Sequence, residues 1–188
     1  MSVRDGMLAI LTLGPAYGSQ LHSELTGRTP HRSPVNVGQI YTTIERLGKQ
    51  GLLVAAGTTD DGLPLHELTA AGRARAQEWM TRPHDAMTLD WTEMMDQVLI
   101  TASIDQSAVQ VLVGRYRRLW AERRDEHPES SSSARLLTDS ATRTQAAAAV
   151  EWLEEVERRL RDAPLAHPYA EDRPRRGRPS TKRDPDPG

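Results

Sequence analysis

Apolar positions at helical spacing mark two short helices at the start of the chain. The first helix has one apolar face, made of Val3, Met7, Ile10 and Leu11. Gly14-Pro15 ends that helix, because proline cannot donate the hydrogen bond that the next turn needs. A second short helix begins near Gly18, carries Leu21 and Leu25 inward and gives way to a loop.

A third helix with two distinct faces is predicted after this loop. Asn36 is a favoured N-cap residue, and Gly51 ends the helix. Its apolar positions recur every three or four residues: Val37, Ile40, Ile44 and Leu47. Its other face is polar: Gln39, Thr42, Thr43, Arg46 and Lys49. One face can therefore pack on a core while the other meets solvent or a partner.

After Gly51 the pattern changes from helical to alternating. Residues 52–56 form a short apolar run, Asp61-Gly62 is typical of a tight turn, and residues 63–68 alternate, which together predict a hairpin. Thr69 then caps a helix that runs to about Trp79, and Pro83 closes the segment. Three helices followed by a hairpin are the order expected of a winged helix-turn-helix domain.

Residues 84–162 show only helical periodicity. The first helix has its apolar stripe at Trp91, Met94, Met95, Val98, Leu99 and Ala102. Asp105 caps a second helix, and a last long helix follows the break at Pro128 and the serines 130–133. Because no strand separates these helices, we expect them to bury a face against a second copy of the chain. This segment is thus predicted to be a dimerisation domain, with effector binding as a further role.

The last segment, residues 163–188, is predicted to be disordered. It holds six prolines in 26 residues, frequent charges and few apolar side chains, so it cannot bury enough surface to offset the entropy of ordering. The sequence therefore predicts a mainly α protein with a small β-hairpin. Its parts are a winged-helix domain over residues 1–83, a helical domain over residues 84–162 and the tail over residues 163–188.

Composition excludes several classes of function. The 188 residues include no cysteine, which excludes disulfides, thiolate zinc sites and a cysteine nucleophile. The six histidines lack metal-ligand spacing, and there is no phosphate-binding loop or nucleophile elbow. We therefore expect no metal, no cofactor and no enzymatic activity. The chain shows no long apolar run and no secretion signal pattern, so we expect a cytoplasmic protein without a membrane partner.

The charge is unevenly distributed along the chain. The net charge of −2 divides into +1 over residues 1–83, −5 over residues 84–162 and +2 over residues 163–188. Acidic character is therefore concentrated in the helical segment. Because one face sets the local field, the total charge does not exclude a nucleic-acid partner for the first segment.

Several ordered motifs resemble the PadR-like family of transcriptional regulators. The matching stretches are residues 8–11 (LAIL), 17–21 (YGSQL), 37–47 (VGQIYTTIERL), 51–53 (GLL) and 67–73 (ELTAAGR). The resemblance implies a dimeric winged-helix repressor whose helical C-terminal half dimerises and, in some members, holds an effector near the dimer interface. The length of residues 84–162 is similar to the larger subgroup, which has several C-terminal helices.

The hairpin departs from the family pattern. The family usually carries basic residues and a tyrosine on the returning strand, where this chain has residues 63–66 (LPLH). The tip carries Asp60 and Asp61, which would repel phosphate. Either this wing adds little to DNA affinity, or Thr58 and Thr59 contact the DNA while other residues supply the charge.

Side chains that suit DNA cluster on the third helix and at the start of the second. An amide can pair with adenine, a threonine methyl can contact a thymine methyl, and basic or hydroxyl groups can hold phosphates. We predict a DNA-facing set of Ser19, Gln20, Asn36, Gln39, Tyr41, Thr42, Thr43, Arg46, Lys49, Thr58 and Thr59. A solvated helix face is the alternative interpretation of the same residues.

Two further features have competing interpretations. The tail segment Arg176-Gly177-Arg178-Pro179 resembles an AT-hook, which lies in the minor groove of A·T-rich DNA, and a solubilising basic tail is the alternative. Trp79, Trp91 and Trp120 are candidates to line a pocket for a small aromatic or apolar effector, although such tryptophans are often core residues.

The sequence thus favours a homodimeric repressor of a palindromic operator, released by a small-molecule effector. Two alternatives remain at this stage. One is a protein-interaction adaptor that keeps the winged-helix scaffold without DNA binding, which the acidic wing favours. The other is a ligand sensor with marginal DNA affinity.

Overall fold

A computed structural model describes residues 3–84, 88–126, 132–165, 167 and 169. Its elements in chain order are α1 (Val3–Ile10), α2 (Gly18–Arg28), α3 (Val37–Lys49), β1 (Leu53–Thr58), β2 (Pro64–Leu68), α4 (Ala70–Thr81), α5 (Trp91–Ala102), α6 (Gln106–Asp125) and α7 (Ser133–Asp162). A single 3₁₀ turn, Leu11–Leu13, follows α1. The mainly helical fold with one small hairpin is confirmed.

Three helices begin at the caps that the sequence indicates. The Asn36 side chain accepts a hydrogen bond from the Gly38 amide, and the Thr69 hydroxyl accepts one from the Gly72 amide. The Asp105 carboxylate accepts from the amides of residues 107 and 108, and these bonds hold the pKa of Asp105 below its usual value. Each cap satisfies amides that have no partner within the first turn of their helix.

Helix α1 lies at the centre of the first domain. All its residues except Arg4 are buried, whereas the sequence pattern indicated a single apolar face. A Cβ at Gly6 would lie 3.1 Å from the Leu25 Cδ2 atom and 3.2 Å from the Ile100 Cδ1 atom. The glycine therefore lets α2 and α5 both approach closely. Ile100 and Ala108 complete the core of this domain, although they lie beyond residue 83.

The hairpin is fastened to the helices at its base. Leu53 pairs with Leu68, and Ala55 pairs with His66. His66 also exchanges two backbone hydrogen bonds with Ala16, at 3.0 and 2.9 Å, in the segment before α2. Burial lowers the pKa of the His66 side chain. The segment at Ala16 thus pairs with β2 next to β1 and holds the wing beside the start of α2.

Helices α5, α6 and α7 form a second core with one another. Its buried members include Met94, Val98, Val109, Leu112, Tyr116, Trp120, Ala146, Ala149 and Leu153. The apolar stripes that the sequence assigned to a second copy are therefore covered within the chain. Residues 133–145 of α7 contain no buried residue, and Leu136 and Leu137 there are 53% and 73% exposed. Among the described residues of α5, α6 and α7, these two leucines are the most exposed large apolar side chains, ahead of Val111 on α6 at 45%.

The segment after α7 contacts the first domain. His167 lies against α2, and the Tyr169 ring packs on the first core. The sequence predicted disorder from residue 163, and these two residues differ from that prediction because an aromatic ring and an imidazole find partners far away in sequence. The AT-hook-like residues 176–179 lie outside the described residues.

One buried side chain joins the two domains. Gln97 on α5 is 0% exposed. Its Nε2 donates to the backbone carbonyl oxygens of Trp79 and Arg82 at the end of α4. Its Oε1 accepts from the Tyr116 hydroxyl on α6 at 2.5 Å and from the His84 amide at 3.2 Å. The end of α4 is thereby fixed to both α5 and α6.

Replacing Gln97 with methionine should destabilise the whole protein. The substitution keeps the volume but leaves the Trp79 carbonyl and the Tyr116 hydroxyl without this partner, at a cost of about 2 to 4 kcal/mol. The free energy of unfolding, measured by urea denaturation, checks this value. The control is Gln77→Met on the exposed face of α4, which should change stability by less than about 0.5 kcal/mol. Equal effects of the two substitutions would contradict the role of Gln97.

Candidate nucleic-acid interface

Helix α3 presents one exposed polar row on the surface of the first domain. Gln39, Thr42 and Arg46 are exposed and lie three and four residues apart, so they align along the helix. The opposite row, Ile40, Ile44 and Leu47, is buried in the core. Asn36 and Tyr41 are exposed as well. The core therefore fixes the direction in which the polar row points.

Thr43 does not belong to this exposed row. It is 8% exposed, and its hydroxyl donates to the Gln39 carbonyl at 2.7 Å. The prediction that Thr43 faces DNA is corrected for this reason. The residue lies between the polar row and Ile44, so its methyl group is drawn to the core side while its hydroxyl bonds within the helix.

Lys49 has an acidic partner on the same helix. Its Nζ lies 2.6 Å from the Glu45 Oε1 atom, and both side chains are exposed. The hydrogen bond from Lys49 and its charge lower the pKa of Glu45. An exposed pair of this kind is worth little in water. Lys49 can therefore exchange Glu45 for a phosphate, whereas Arg46 carries its charge on the central row.

Close packing sets the position of α3 relative to α2. A Cβ at Gly18 would lie 2.5 Å from the Tyr41 Cε1 atom, so the Tyr41 ring rests on the first residue of α2 where only glycine fits. Ser19 is exposed beside it, and Gln20 is partly buried. The amino end of α2 and the polar row of α3 therefore share one surface, as a helix-turn-helix requires.

The two wing threonines that the sequence named as DNA contacts differ in exposure. Thr58 is exposed, but Thr59 is partly buried. The Thr59 hydroxyl accepts from the Leu63 amide at 3.0 Å, and its carbonyl accepts from Gly62 at 2.8 Å. Thr59 therefore holds the turn of the wing together, and Thr58 is the more accessible of the two threonines.

The loop before α3 is bound to α5 by a cluster of charges. Arg32 places Nε 2.9 Å from Asp96 Oδ1 and Nη2 2.6 Å from Asp96 Oδ2. His31 lies 3.0 Å from the same carboxylate, and Glu93 lies 3.7 Å from Arg32. Asp96 is 1% exposed. We refer to His31, Arg32, Glu93 and Asp96 as the α5 latch.

Burial has the largest effect on the carboxyl of this latch. It raises the pKa of Asp96, and the hydrogen bond and charge of Arg32, then His31, act against that rise. Because the net shift of the pKa is upward, the cost of removing the carboxylate from water outweighs the attraction to its partners. The latch fixes geometry and adds little to overall stability.

Sequence reasoning missed the latch. Its members come from a loop and from a helix in which spacing predicts only an apolar stripe. Arg32 and Asp96 are 64 residues apart in the sequence. Asp96 lies on the polar side of the predicted stripe, so helical spacing gave no signal that it would be buried. A buried acid needs a cation, but the sequence does not tell which cation it meets.

The tryptophans named as effector contacts have other partners. Trp120 is buried and donates from Nε1 to the Met94 sulfur at 2.9 Å. Trp91 packs on Trp152 with ring centroids 5.6 Å apart. Trp79 is buried in the first core and borders a cavity of about 200 Å³ at the end of α4. Among the three predicted residues, Trp79 is the one that lines this cavity.

Two classes of feature are absent from the described part of the chain. No group of three or more acidic or histidine side chains is placed to hold a metal ion. No described helix has both the length and the apolar composition that a membrane span needs.

The fold and the polar row of α3 define a winged helix-turn-helix protein. Residues 7–78 match the sequence profile of the transcriptional regulator PadR-like family. That segment holds every motif on which the resemblance rests. The resemblance predicted from the sequence motifs is confirmed.

Two solved structures are similar to the chain over most of its length. One is Bacillus subtilis PadR in complex with operator DNA, with 16% identity and a TM-score of 0.41 over 85% of this chain and 98% of that chain. The other is Bacillus subtilis PadR in complex with p-coumaric acid, with 17% identity and a TM-score of 0.39 over the same shares of both chains. The search of curated proteins found no match.

Replacing Asp96 with asparagine should loosen the loop before α3 without unfolding the protein. Asparagine imitates the protonated carboxyl, which a raised pKa favours in the folded state, so the free energy of unfolding should change by less than about 1 kcal/mol. Stability linked to this carboxyl is present at low pH and is lost as the pH rises through its folded pKa, so the variant should flatten that dependence.

Hydrogen exchange measures the local effect of this substitution. Amides of residues 29–36 should exchange about tenfold faster in the variant, while those of α1 keep their rates. Glu122→Gln, an exposed change on α6, is the control and should leave both regions unchanged. Unaltered exchange in residues 29–36 would show that the latch does not hold the loop.

Proposed function

We propose that the chain is a homodimeric, sequence-specific DNA-binding repressor that inserts α3 into the major groove. The observation that carries this proposal is the exposed row of Gln39, Thr42 and Arg46 opposite a buried row on the same helix. A helix held in this way can present three side chains to base edges and phosphates at once. The match of residues 7–78 to the profile of a family of transcriptional regulators supports the same function.

Each member of the row suits a separate task. The Gln39 amide can pair with the N6 and N7 atoms of adenine. The Thr42 hydroxyl donates to the Gly38 carbonyl at 2.9 Å, which leaves its methyl group to contact a thymine methyl. Arg46, with Ser19 at the start of α2, can hold phosphates on either side of the groove.

A second copy of the chain would bring two such helices to one operator. Two half-sites would then lie roughly 34 Å apart, one turn of DNA. The first half of α7 is the surface we assign to this contact, because Leu136 and Leu137 are the most exposed large apolar side chains described in α5, α6 and α7. Burial of these leucines against their copies would form the apolar centre of such a contact.

An effector would act through the α5 latch in this proposal. A small molecule that bound one arrangement of α5 more tightly would shift the position of Asp96, and with it the loop that leads into α3. Differential affinity for two arrangements is sufficient, and no contact between the effector and DNA is required.

Gel-shift titration against the protein's own promoter region tests DNA binding. Gln39→Ala should lower affinity by about 1 to 3 kcal/mol and relax preference at one base pair. Arg46→Ala should weaken all duplexes alike and reduce the salt slope by about one. Gln77→Ala on α4 and Arg118→Ala on α6 are exposed controls of the same residue types and should bind as the original chain does.

Loss of selectivity only in the α3 variants would support the repressor. A folded dimer that selects no sequence, even from a random duplex library, would contradict it. That result would favour the alternative of a protein-interaction adaptor without DNA binding, because the acidic wing tip at Asp60 and Asp61 repels phosphate.

Replacing Leu137 with glutamate should dissociate the dimer. The new charges would face each other in an apolar contact, where leaving water is costly. Light scattering should report the mass of one 20.9 kDa chain in place of two. Thr138→Glu, an exposed neighbour that adds the same charge, is the control and should stay dimeric. A Leu137 variant that remained dimeric would place the contact elsewhere.

A further inference from the structure

Helix α3 carries an acidic side chain on the same outer surface as its polar row. Glu45 follows Thr42 by three residues and Arg46 follows it by four, so they lie roughly 60° and 40° to either side of Thr42 around the helix axis. The buried row of α3 points the other way, into the core. The Glu45 side chain is 66% exposed. Glu45 therefore belongs to the surface that the proposed function turns toward DNA.

Most of the hydrogen-bonding capacity of this carboxylate is unused. Lys49 places its Nζ atom 2.6 Å from the Glu45 Oε1 atom, and no other described residue donates to the carboxylate. A carboxylate has about four acceptor sites. The hydrogen bond and charge of Lys49 lower the pKa of Glu45. The side chain is therefore an ionised group that accepts hydrogen bonds and donates none.

The fold does not require an acid at this position. An exposed ion pair between neighbouring turns of one helix adds little to stability. On a DNA-facing surface the carboxylate is instead unfavourable, because the phosphates repel it. The repulsion is offset only if a base edge supplies a donor to the carboxylate.

The major-groove edge of cytosine supplies such a donor. Cytosine presents its N4 amino group there, whereas guanine presents N7 and O6 and thymine presents O4, which are all acceptors. Adenine presents an N6 amino group with the N7 acceptor beside it. An ionised carboxylate is thus attracted by cytosine and repelled by guanine and thymine.

We propose that Glu45 is a second base-reading residue, which accepts a hydrogen bond from the N4 amino group of a cytosine in each half-site. The inference rests on the proposed function and adds a specificity-determining residue to it. Glu45 lies six residues beyond Gln39, which is about 9 Å along the helix. The cytosine therefore lies within about three base pairs of the adenine that Gln39 reads.

Lys49 supports this contact without reading a base. Its ammonium offsets the charge of the carboxylate as the two side chains approach the negative groove. The ammonium has three N–H donors, so it can also contact a phosphate. Lys49 thus contributes affinity for any sequence, whereas Glu45 contributes selectivity.

Affinities for a set of operator duplexes test the inference. The operator is obtained by random-sequence selection with the original chain, and the duplexes carry each possible base pair in turn at the selected cytosine position. The chains are the original protein, Glu45→Gln, Lys49→Ala and Glu122→Gln, an exposed change on α6 that serves as the matched control. Urea denaturation checks that each variant is folded.

The original chain should prefer cytosine to guanine at this position by about 5- to 150-fold. Glu45→Gln should bind the cytosine duplex more weakly and the guanine duplex more strongly, because an amide both accepts and donates. Lys49→Ala should weaken all duplexes alike, lower the salt slope by about one and keep the preference. Glu122→Gln should bind as the original chain does.

Other results would overturn the inference. Uniformly stronger binding of Glu45→Gln to every duplex would show that the carboxylate only repels phosphate. Loss of the preference in Lys49→Ala but not in Glu45→Gln would show that Lys49 reads the guanine of the same base pair. A selected operator without a preferred cytosine near the adenine of Gln39 would leave Glu45 without its donor.

A modified cytosine tests the N4 atom itself. N4-methylcytosine still pairs with guanine, but its methyl group replaces the hydrogen that points into the major groove. The original chain should bind this duplex at least about fivefold more weakly than the unmodified one. Glu45→Ala, which has no acceptor and leaves room for the methyl group, should bind both duplexes alike. Equal losses in the two chains would assign the contact to another residue.

The selection distinguishes failure of this inference from failure of the proposed function. If the original chain selects no sequence, the proposed function fails and the base-reading role of Glu45 fails with it. If the chain selects an operator whose preferences change in Gln39→Ala but not in Glu45→Gln, the repressor stands and only the role of Glu45 is removed.

Discussion

The amide of Gln97 is the constraint on which the arrangement of the two domains depends. The last carbonyls of a helix lack partners within it, and those of Trp79 and Arg82 are turned toward protein instead of water. Gln97 satisfies both carbonyls from α5 while Tyr116 on α6 completes its own bonding. This side chain donates to two backbone carbonyls and accepts from the Tyr116 hydroxyl and the His84 amide. Such a set of hydrogen bonds allows little rotation of one domain against the other.

A fixed α5 determines what surrounds the helix-turn-helix. Asp96 holds the loop before α3, and Ser103 meets Arg28 at the end of α2. The helix that the sequence assigned to dimerisation therefore meets α2 and the loop before α3 through polar contacts seven residues apart, two turns of the same face. A small rotation of α5 would move both points together, which is how a rigid element transmits a local change over distance.

The sequence predicted local features well and distant contacts poorly. Asn36, Thr69 and Asp105 each cap a helix within three residues, so their role is readable from neighbours alone. The prediction that Thr43 is exposed toward DNA was wrong, because helical spacing gives the direction of a side chain only to within part of a turn. A threonine at the edge of the core can also satisfy its hydroxyl inside the helix. The partners of Asp96 and Tyr169 lie far away in sequence, and no local pattern encodes them. The composition of residues 163–188 predicted disorder because apolar residues are few, but one tyrosine, Tyr169, is enough to pack against the first core.

The place of Ile100 in the first core has a consequence for synthesis of the protein. Helix α1 emerges from the ribosome before α5, so the surface of α1 beside Gly6 stays open until α5 has been made. The first domain of the nascent chain therefore waits with an exposed apolar face and completes its core only when residues from the second domain arrive. A protein interrupted near residue 83 would be a substrate for chaperones and proteases, not a free DNA-binding fragment.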